Sequence, residues 1–245
     1  MSVNVPPNIH HVGEVTSTMD AARQMLTAAN GAPFAVLAES QVKGRGTGER
    51  VWISPKGNMY FTLCISEKSI MPEIVPVLPL LTGLVCRAAI MSLINGANVH
   101  VKWPNDIIYA GKKIGGSLVE SEGESLIIGI GMNVELAPPV TDSGRASTTV
   151  NEIAAALEQP KITPTQLAEF IWKHFFQMIS DTTLTRKIVV TRFDAAMDKS
   201  LSLHRRTPTG RDPEELHAIG LNEWGHLIVS RPDGTEDTLM TDYLF

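Results

Sequence analysis

The chain has 245 residues, of which 43% are hydrophobic and 19% charged, a balance typical of one large globular domain or one domain with a small appendage. A formal net charge of −5 argues against nucleic acid, DNA included, as a general partner of its surface. The two cysteines lie in apolar runs, without a disulfide framework or metal-ligand spacing. Because we see neither a signal-peptide plan nor an apolar run long enough for a bilayer, we expect a cytoplasmic protein without membrane contact; a processed organellar form stays open.

The first hundred residues predict helices alternating with strands. After a short polar start, "TSTMDAARQMLTAANG" has a Ser/Thr cap, apolar residues at helical spacing and a closing Asn-Gly. "PFAVLAES" and "NMYFTLCIS" are typical of buried strands. "VPVLPLLTGLVCRAAIMSLING" predicts a buried helix, and its prolines belong at the start of that helix.

The middle of the chain predicts a hairpin-rich sheet. "VHVKWPNDIIYAGKKIGGSLVES" gives a strand, a turn, a strand, a hairpin and a strand, and "ESLIIGIGMNVEL" gives one more. Such hairpins with intervening helices indicate an α+β fold with a mixed or antiparallel sheet, not a doubly wound parallel sheet. The Pro/Gly/Ser/Thr-rich residues 138–150 predict a surface loop.

In the last hundred residues, the sequence pattern changes from helical periodicity to short alternating runs at about Lys199. "TPTQLAEFIWKHFFQMISD" predicts a capped amphipathic helix, and a further helix is expected over residues 185–197. Beyond these helices, short alternating runs are divided by Asn-Glu-Trp-Gly and Pro-Asp-Gly turns. We therefore predict an α+β domain over residues 1–198 and a small all-β domain over residues 199–245.

A glycine-rich basic loop, "SQVKGRGTGERVWISPKGN", follows the first buried strand. Its glycines let the backbone approach a ligand closely and expose N–H groups, and its arginines can grip a carboxylate or phosphate. Trp52 offers a flat face for a base. The loop matches neither the Walker phosphate-binding motif nor the dinucleotide fingerprint. A solvated surface loop with Trp52 as core packing is the alternative.

Polar residues also interrupt the predicted hairpin of "KWPNDIIYAGKKIGG". Lys102, Asn105 and Asp106 stand where buried residues are expected, and Pro104 turns the chain after Trp103. Lys113 precedes Ile114-Gly115-Gly116, where a strand without side chains leaves room for something else. In the alternative interpretation, Asn105 and Asp106 only cap a turn, and Lys112 and Lys113 lie at a solvated hairpin tip.

Taken together, "GRG…W", then "KWPND…KxxG", then "GIGMNV" resemble the catalytic domain of biotin protein ligases, also called biotin–acetyl-CoA-carboxylase ligases. The resemblance covers residues 9 to 135 and continues more weakly through the C-terminal β segment. It implies a biotin/lipoate-ligase catalytic domain like that of class II aminoacyl-tRNA synthetases, followed by an SH3-like β-barrel. It further implies the short form that lacks a DNA-binding helix-turn-helix.

The resemblance also implies substrates and roles for particular residues. Biotin would react with ATP, assisted by Mg²⁺, to give biotinyl-AMP, and the biotinyl group would pass to a lysine of a biotin carboxyl carrier domain. The implied catalytic residues are Lys113, Asp106 and Arg45. The hypothesis for Asp106 is that it orients and deprotonates the acceptor lysine, and a role at the metal stays open. The implied biotin-binding residues are Ser17, Thr18, Gln41, Gly44, Arg45, Lys113 and Gly116. The implied ATP-binding residues are Gly46, Thr47, Arg50, Trp52, Asn105 and Asn133. No metal ligands are assigned, and structural alternatives stay open: Ser17 as a helix cap, Asn133 as the end of a strand.

Two positions depart from the pattern of the family. Thr47 stands where relatives commonly have a second loop arginine, so either Arg50 or Lys43 replaces that charge or the enzyme loses activated biotin more readily. Met19 stands where many relatives carry asparagine, which is a change in packing beside the biotin ring.

Three further expectations follow from the resemblance. A lipoate or octanoate ligase of the same fold is the first alternative function, and a catalytically weak biotin- or nucleotide-binding protein is the second. "KWPND" favours biotin, and retention of Lys113, Asp106 and Trp52 favours catalysis. Some relatives form homodimers through a sheet edge, and the sequence leaves this assembly open.

Overall fold

The fold is built on a seven-stranded sheet. The structure is a computed structural model that describes residues 5–48, 50–138, 145–207, 210–240 and 244. The strand order is β1-β2-β3-β7-β6-β5-β4. The pair β1–β2 is parallel, whereas the other neighbours are antiparallel. The predicted α+β fold with a mixed sheet is therefore confirmed.

The elements of this sheet and its helices occupy the predicted segments in most cases. The strands are β1 (Ile9–Val15), β2 (Phe34–Gln41), β3 (Met59–Ser66), β4 (His100–Lys102), β5 (Asp106–Tyr109), β6 (Lys112–Glu122) and β7 (Ser125–Met132). The helices are α1 (Thr18–Ala29), α2 (Leu78–Leu93), α3 (Val150–Ala156), α4 (Pro164–Ile179) and α5 (Arg186–Ala196). Helix α1 is capped by Ser17 and closes on Asn30 in the left-handed conformation, as its Asn-Gly signal predicted.

Strands β2 and β3 are buried on both faces, and successive residues of each strand point to opposite sides of the sheet. On β2, Phe34 and Val36 pack with α1. Their neighbours Ala35 and Leu37 belong to the larger core beneath α2 and α4. This two-sided burial explains why β2 and β3 appear in the sequence as continuous apolar runs rather than alternating ones.

Helix α2 corrects one expectation from the sequence. Residues Val75–Leu93 form a 19-residue helical stretch with mean hydropathy 1.7, long and apolar enough by length and composition to cross a membrane. The prediction that no apolar run reaches that length was wrong. The stretch is 61% buried, and α2 packs against α4, α5 and β6, so it is a core element of this fold.

Strand β1 and helix α3 were not predicted. The apolar residues of β1 recur at every third position, unlike the alternation of a half-buried strand, because β1 is the edge strand beside β2. Helix α3 begins inside the predicted surface loop 138–150, where Thr149 and Glu152 form a capping box. Residues 139–144 of that loop lie outside the described residues. Thr148 and Thr149 are buried, so the loop prediction was wrong at its C-terminal end.

The C-terminal segment forms the small β unit that was predicted. Its strands are β8 (Ser202–Leu203), β9 (Arg206–Thr207), β10 (Gly210–Arg211), β11 (Leu216–Leu221), β12 (Leu227–Ser230) and β13 (Glu236–Leu239). Four of them form the sheet β13-β12-β11-β8, and β9 pairs with β10. The unit is anchored to the larger sheet, since Trp103 Nε1 donates to the carbonyl of Gly225 over 2.9 Å. The domain boundary at residue 198 stays a prediction.

Candidate active site

A cavity of about 640 Å³ opens where the glycine-rich loop, the start of α1 and strands β6 and β7 meet. Thirteen of the fourteen predicted site residues line it. They are Ser17, Thr18, Gln41, Arg45, Gly46, Thr47, Arg50, Trp52, Asn105, Asp106, Lys113, Gly116 and Asn133. The structure thus brings together residues that are more than 100 positions apart in the chain.

Gly44 is the exception, because it supports the cavity from behind. A Cβ atom at this position would collide with the carbonyl oxygen of Trp52, and it would lie 2.5 Å from Ser54 Oγ and 2.9 Å from Gln41 Nε2. Gly44 is buried and does not line the cavity. The packing of Gly44 against Trp52 and Ser54 is thus observed, and its direct contact with the ligand stays a prediction.

One end of the cavity is lined by a chain of neutral hydrogen bonds. Gln41 Oε1 accepts from Thr18 N at 2.8 Å and from Thr18 Oγ1 at 3.1 Å. Gln41 Nε2 donates to Ser54 Oγ at 2.9 Å. Ser17 caps α1 by accepting a hydrogen bond from Met19 N, and it also lines the cavity. A role as a helix cap and a position in the site are therefore compatible. These fixed amide and hydroxyl groups suit a neutral polar ligand group such as a urea.

The glycine-rich loop folds back on itself and holds Trp52 over the sheet. Trp52 N donates to Gly44 O at 2.9 Å, and Gly46 N donates to Arg50 O at 2.8 Å. The Trp52 indole lies on Gly131 of β7, where an added Cβ would be only 2.6 Å from Nε1. The absence of a side chain at position 131 is therefore what lets the indole lie flat in the cavity wall.

From the predicted stacking of ATP on Trp52, Gly131→Ala is expected to displace the indole and to weaken binding of that nucleotide about tenfold, since base–aromatic stacking contributes ~1–3 kcal/mol. Isothermal titration calorimetry with ATP measures the loss. Gly13→Ala is the matched control, because Gly13 also lies on a strand of this sheet and an added Cβ there meets nothing within 4 Å. Equal ATP affinity in wild type and Gly131→Ala contradicts the stacking role of Trp52.

A β-bulge aims Lys113 into the cavity. Ile108 pairs with Lys113 and Ile107 with Gly115, so Ile114 is the extra residue of β6. The bulge lets Lys113 and Gly116 line the same cavity although they are three positions apart. Gly115, by contrast, packs against Met132 and leaves no room for a ligand. The expectation that the Gly115-Gly116 pair makes room for a ligand is therefore wrong for Gly115. The alternative of a solvated hairpin tip was wrong for Lys113, whose side chain is 16% exposed.

Asp106 is a buried carboxylate shared by two ammonium groups. Its Oδ1 lies 2.6 Å from Lys113 Nζ and its Oδ2 lies 3.6 Å from Lys102 Nζ. Burial alone would raise the pKa of Asp106, but the two lysines hold it below its ordinary value. Asp106 is therefore ionised at neutral pH and fixes the Lys113 ammonium, which also lies 5.4 Å from the centre of the Trp52 ring.

Lys102 is the deeper of the two lysines. Its side chain is 6% exposed, and Nζ donates to the Leu244 carbonyl over 3.2 Å, which connects Asp106 to the C-terminal unit. Burial lowers the pKa of Lys102 to about 8, against the opposing effect of the Asp106 charge. Lys102 was noticed in the sequence only as a polar interruption, and no role was predicted for it.

This pKa predicts a pH-dependent contribution to stability. Between pH 8 and the ordinary lysine range, the folded chain releases the Lys102 proton while the unfolded chain keeps it, so stability from this group rises with pH. Relative to Lys102→Met, the wild type is expected to gain on the order of 1 kcal/mol of unfolding free energy from pH 7 to 9. Urea denaturation measures it, with exposed Lys68→Met as control. The prediction is contradicted if the difference in unfolding free energy between wild type and Lys102→Met stays constant or falls from pH 7 to 9.

Thr47 holds the Arg50 guanidinium. Arg50 Nη2 donates to Thr47 Oγ1 at 2.6 Å and Arg50 Nε donates to the Thr47 carbonyl at 2.9 Å. Of the two residues considered as substitutes for the absent loop arginine, Arg50 lines the cavity beside Thr47, whereas Lys43 is exposed and does not line it. Arg45 instead pairs with Asp20 of α1 at 2.9 Å.

Several cavity residues were not predicted. The cavity is also lined by Arg145, Ser147 and Arg206, and no local sequence pattern predicts their position there. Ser117 and Trp52 each carry a buried polar atom, Oγ and Nε1, that has no hydrogen-bond partner in the described structure. Both residues line the cavity, so a ligand with polar atoms could satisfy them. No group of three or more His, Cys, Asp or Glu side chains suited to a metal occurs among the described residues.

Comparison with known proteins finds relatives of one family. The profile of the biotin/lipoate A/B protein ligase family matches residues 12–136. The chain is 50% identical to a biotin protein ligase from Leishmania major whose structure contains biotinyl-5-AMP; the TM-score is 0.79 and the match covers 96% of this chain and 99% of that one. It is 39% identical to the human biotin–protein ligase over 84% of this chain and 37% identical to the Bacillus subtilis bifunctional ligase/repressor over 51% of it.

The family profile and the similarity over nearly the whole chain identify a domain of the ligase class. The chain belongs to the biotin/lipoate A/B protein ligase family. The matches span only 30% of the length of the human protein and 39% of the length of the Bacillus subtilis protein.

Proposed function

We propose that the protein is an ATP-dependent biotin protein ligase, which activates biotin as biotinyl-AMP and transfers it to a lysine of a biotin carboxyl carrier domain. The observation that carries the proposal is a single cavity with neutral hydrogen-bonding groups at Thr18 and Gln41 and a buried lysine–aspartate pair at Lys113 and Asp106. Its volume of about 640 Å³ is in the range of small-molecule sites. The Leishmania major relative, 50% identical, binds biotinyl-5-AMP.

In the first step, a carboxylate oxygen of biotin bonds to the α-phosphorus of ATP. The bond from that phosphorus to the bridging oxygen breaks, and pyrophosphate leaves with the electron pair. Two anions must approach each other, so cations at their junction lower the barrier most. Lys113 supplies an ammonium group fixed by Asp106, and Arg45 adds a guanidinium once it exchanges Asp20 for the ligand. Mg²⁺ enters with ATP as part of the substrate, bound mainly by phosphate oxygens.

In the second step, the ε-amine of the acceptor lysine attacks the acyl carbon, an amide forms, and AMP leaves with the electron pair of the acyl–oxygen bond. The amine must lose its proton, and Asp106 was predicted to orient and deprotonate it. Its lowered pKa makes it a weak proton acceptor, and its pairing favours the positioning of Lys113. Unchanged single-turnover transfer from preformed biotinyl-AMP in Asp106→Asn would exclude any second-step role.

One assay tests the function as a whole. Labelled biotin or lipoate is incubated with ATP, Mg²⁺, the protein and a biotin carrier domain, and incorporation into the carrier is measured. We expect biotin to be transferred and lipoate not. Transfer of lipoate alone supports the lipoate ligase alternative, and transfer of neither with retained ligand binding supports the weak binding protein.

Retention of the activated intermediate is a separate question raised by Thr47. The bonds from Arg50 to Thr47 place a guanidinium beside the position of the absent arginine, which supports retention over leakage. Incubating the enzyme, biotin and ATP with a non-cognate protein tests this. Labelling above background favours the leaky enzyme. The carboxylase served, a homodimer through a sheet edge and the cytoplasmic location stay predictions.

A further inference from the structure

A single buried amide fixes the turn that follows strand β7. Asn58 is 2% exposed, and its Oδ1 accepts from the backbone N–H groups of Val134, Glu135 and Leu136 at 2.9, 3.0 and 3.0 Å. Its Nδ2 donates to the Leu136 carbonyl at 2.8 Å. One side chain thus holds three successive residues, and a side chain without this oxygen would leave their N–H groups without the acceptor that fixes them.

The pairing of β3 with β7 brings Asn58 to the wall of the cavity. Met59 pairs with Met132 in the antiparallel register, so Asn58, the residue before Met59, stands opposite Asn133, the residue after Met132. Asn133 is 2% exposed and lines the cavity, whereas Asn58 does not line it. Asn58 therefore lies behind the cavity wall, directly across from a residue that forms the wall.

Asn133 depends on this turn for its position at the end of β7. Its N–H donates to the Ile114 carbonyl at 2.8 Å, its Nδ2 donates to the Thr148 carbonyl at 3.3 Å, and its own carbonyl accepts from Val150 N at 2.9 Å. Strand ends open locally unless the residues beyond them are also bonded. The bonds of Asn58 to the next three residues therefore keep the strand end, and Asn133 with it, against β6.

We propose that Asn58 is a positioning residue for ATP, which acts through Asn133 and touches neither substrate. The assignment rests on the proposed function, in which Asn133 is a predicted ATP-binding residue, and it adds a residue from behind the cavity wall. A shift of about 1 Å in a binding group weakens its contact strongly, so support of this kind decides affinity. The neutral end of the cavity, at Thr18 and Gln41, is built by α1 and β2 and does not use this turn.

The test compares the two substrates in biotin-dependent ATP–pyrophosphate exchange. Asn58→Ala is expected to raise the Michaelis constant for ATP at least about tenfold, with kcat and the Michaelis constant for biotin changed less than about twofold. Asn58→Asp keeps an oxygen acceptor for the backbone N–H groups and loses only the donor to Leu136, so its Michaelis constant for ATP should stay within about threefold of wild type. Thermal unfolding is measured for each variant.

Asn151→Ala is the matched control for the loss of a buried asparagine. Asn151 is 8% exposed, its Oδ1 accepts from Ile162 N at 2.7 Å, and its Nδ2 donates to the Ile162 carbonyl at 3.1 Å and to Glu135 Oε1 at 2.9 Å. Its backbone partner, Ile162, lies before α4 and does not line the cavity. We expect this control to lower the melting temperature, as Asn58→Ala does, and to leave the Michaelis constant for ATP unchanged.

Each outcome decides the assignment. A parallel rise of both Michaelis constants, an unchanged constant for ATP in folded Asn58→Ala, an equal rise in Asn151→Ala, or no recovery in Asn58→Asp overturns it. If Asn58→Ala does not fold, Asn58→Ser replaces it, because a serine hydroxyl is too short to reach all of the N–H groups that Asn58 holds. A wild type that catalyses no biotin-dependent exchange contradicts the proposed function, and ATP affinities of the same variants, measured by calorimetry, then decide the role of Asn58.

Discussion

Lys113→Met is expected to lower kcat/KM for biotin adenylation by at least about 10³-fold, because it removes a fixed cation from the place where two anions react. The ammonium group lies 2.6 Å from Asp106 and 5.4 Å from the centre of the Trp52 ring, so its position is fixed by both groups. Methionine keeps the aliphatic length and removes only the charge. Biotin-dependent ATP–pyrophosphate exchange measures the loss.

Lys112→Met is the matched control for Lys113. Lys112 is the preceding residue of β6 and is exposed, so its charge faces solvent and not the cavity. The control should retain wild-type rates, and thermal unfolding should show that Lys113→Met is folded. A Lys113→Met enzyme that keeps more than a tenth of the wild-type kcat/KM contradicts the assignment of Lys113 as the catalytic cation.

Asp106→Ala is expected to lower the unfolding free energy by about 3–5 kcal/mol, because it leaves two buried ammonium groups without their carboxylate. The side chains of Lys102 and Lys113 are 6% and 16% exposed, so water cannot replace Asp106 fully. Adenylation should fall as well, since the Lys113 ammonium loses the group that fixes it. Urea denaturation and pyrophosphate exchange measure the two effects.

Glu124→Ala provides a surface comparison for Asp106. Glu124 pairs with Lys68 at 2.6 Å, but the two side chains are 72% and 75% exposed, so the pair is screened by solvent. We expect no measurable loss of stability in this control. If Asp106→Ala were no more destabilised than Glu124→Ala, the two lysines would not depend on Asp106 for their burial.

The sequence predicted those parts of the site that depend on local chemistry. The cap at Ser17, the glycine-rich loop and the "KWPND" turn each have a composition that no ordinary core segment needs, and the structure brings them to one cavity. Gly44 shows the limit of such reasoning. A glycine required for close backbone contact with Trp52 looks in the sequence like a glycine that contacts a ligand.

The unpredicted residues depend on pairing between distant segments. Arg145 and Arg206 lie in polar stretches that resemble surface loop and β-strand, and only the backbone bonds to Lys113 and the fold of the C-terminal ribbon bring them to the cavity. Helix α3 is different, because the Thr149…Glu152 capping box was visible in the sequence and could have revealed it. Strand β1 was hidden by the irregular burial of an edge strand.

The assembly of the cavity from segments between residues 17 and 206 also has a consequence for folding. Contacts this distant form late, because closing long loops costs chain entropy before the contacts repay it. No fragment that lacks the C-terminal ribbon or the start of α1 contains the whole cavity. A ligand that spans it therefore binds only the complete native chain and raises the unfolding free energy by about 2.7 kcal/mol at a concentration of one hundred times its Kd. The stoichiometry of ligand binding is thus a measure of the fraction of a protein preparation that has finished folding.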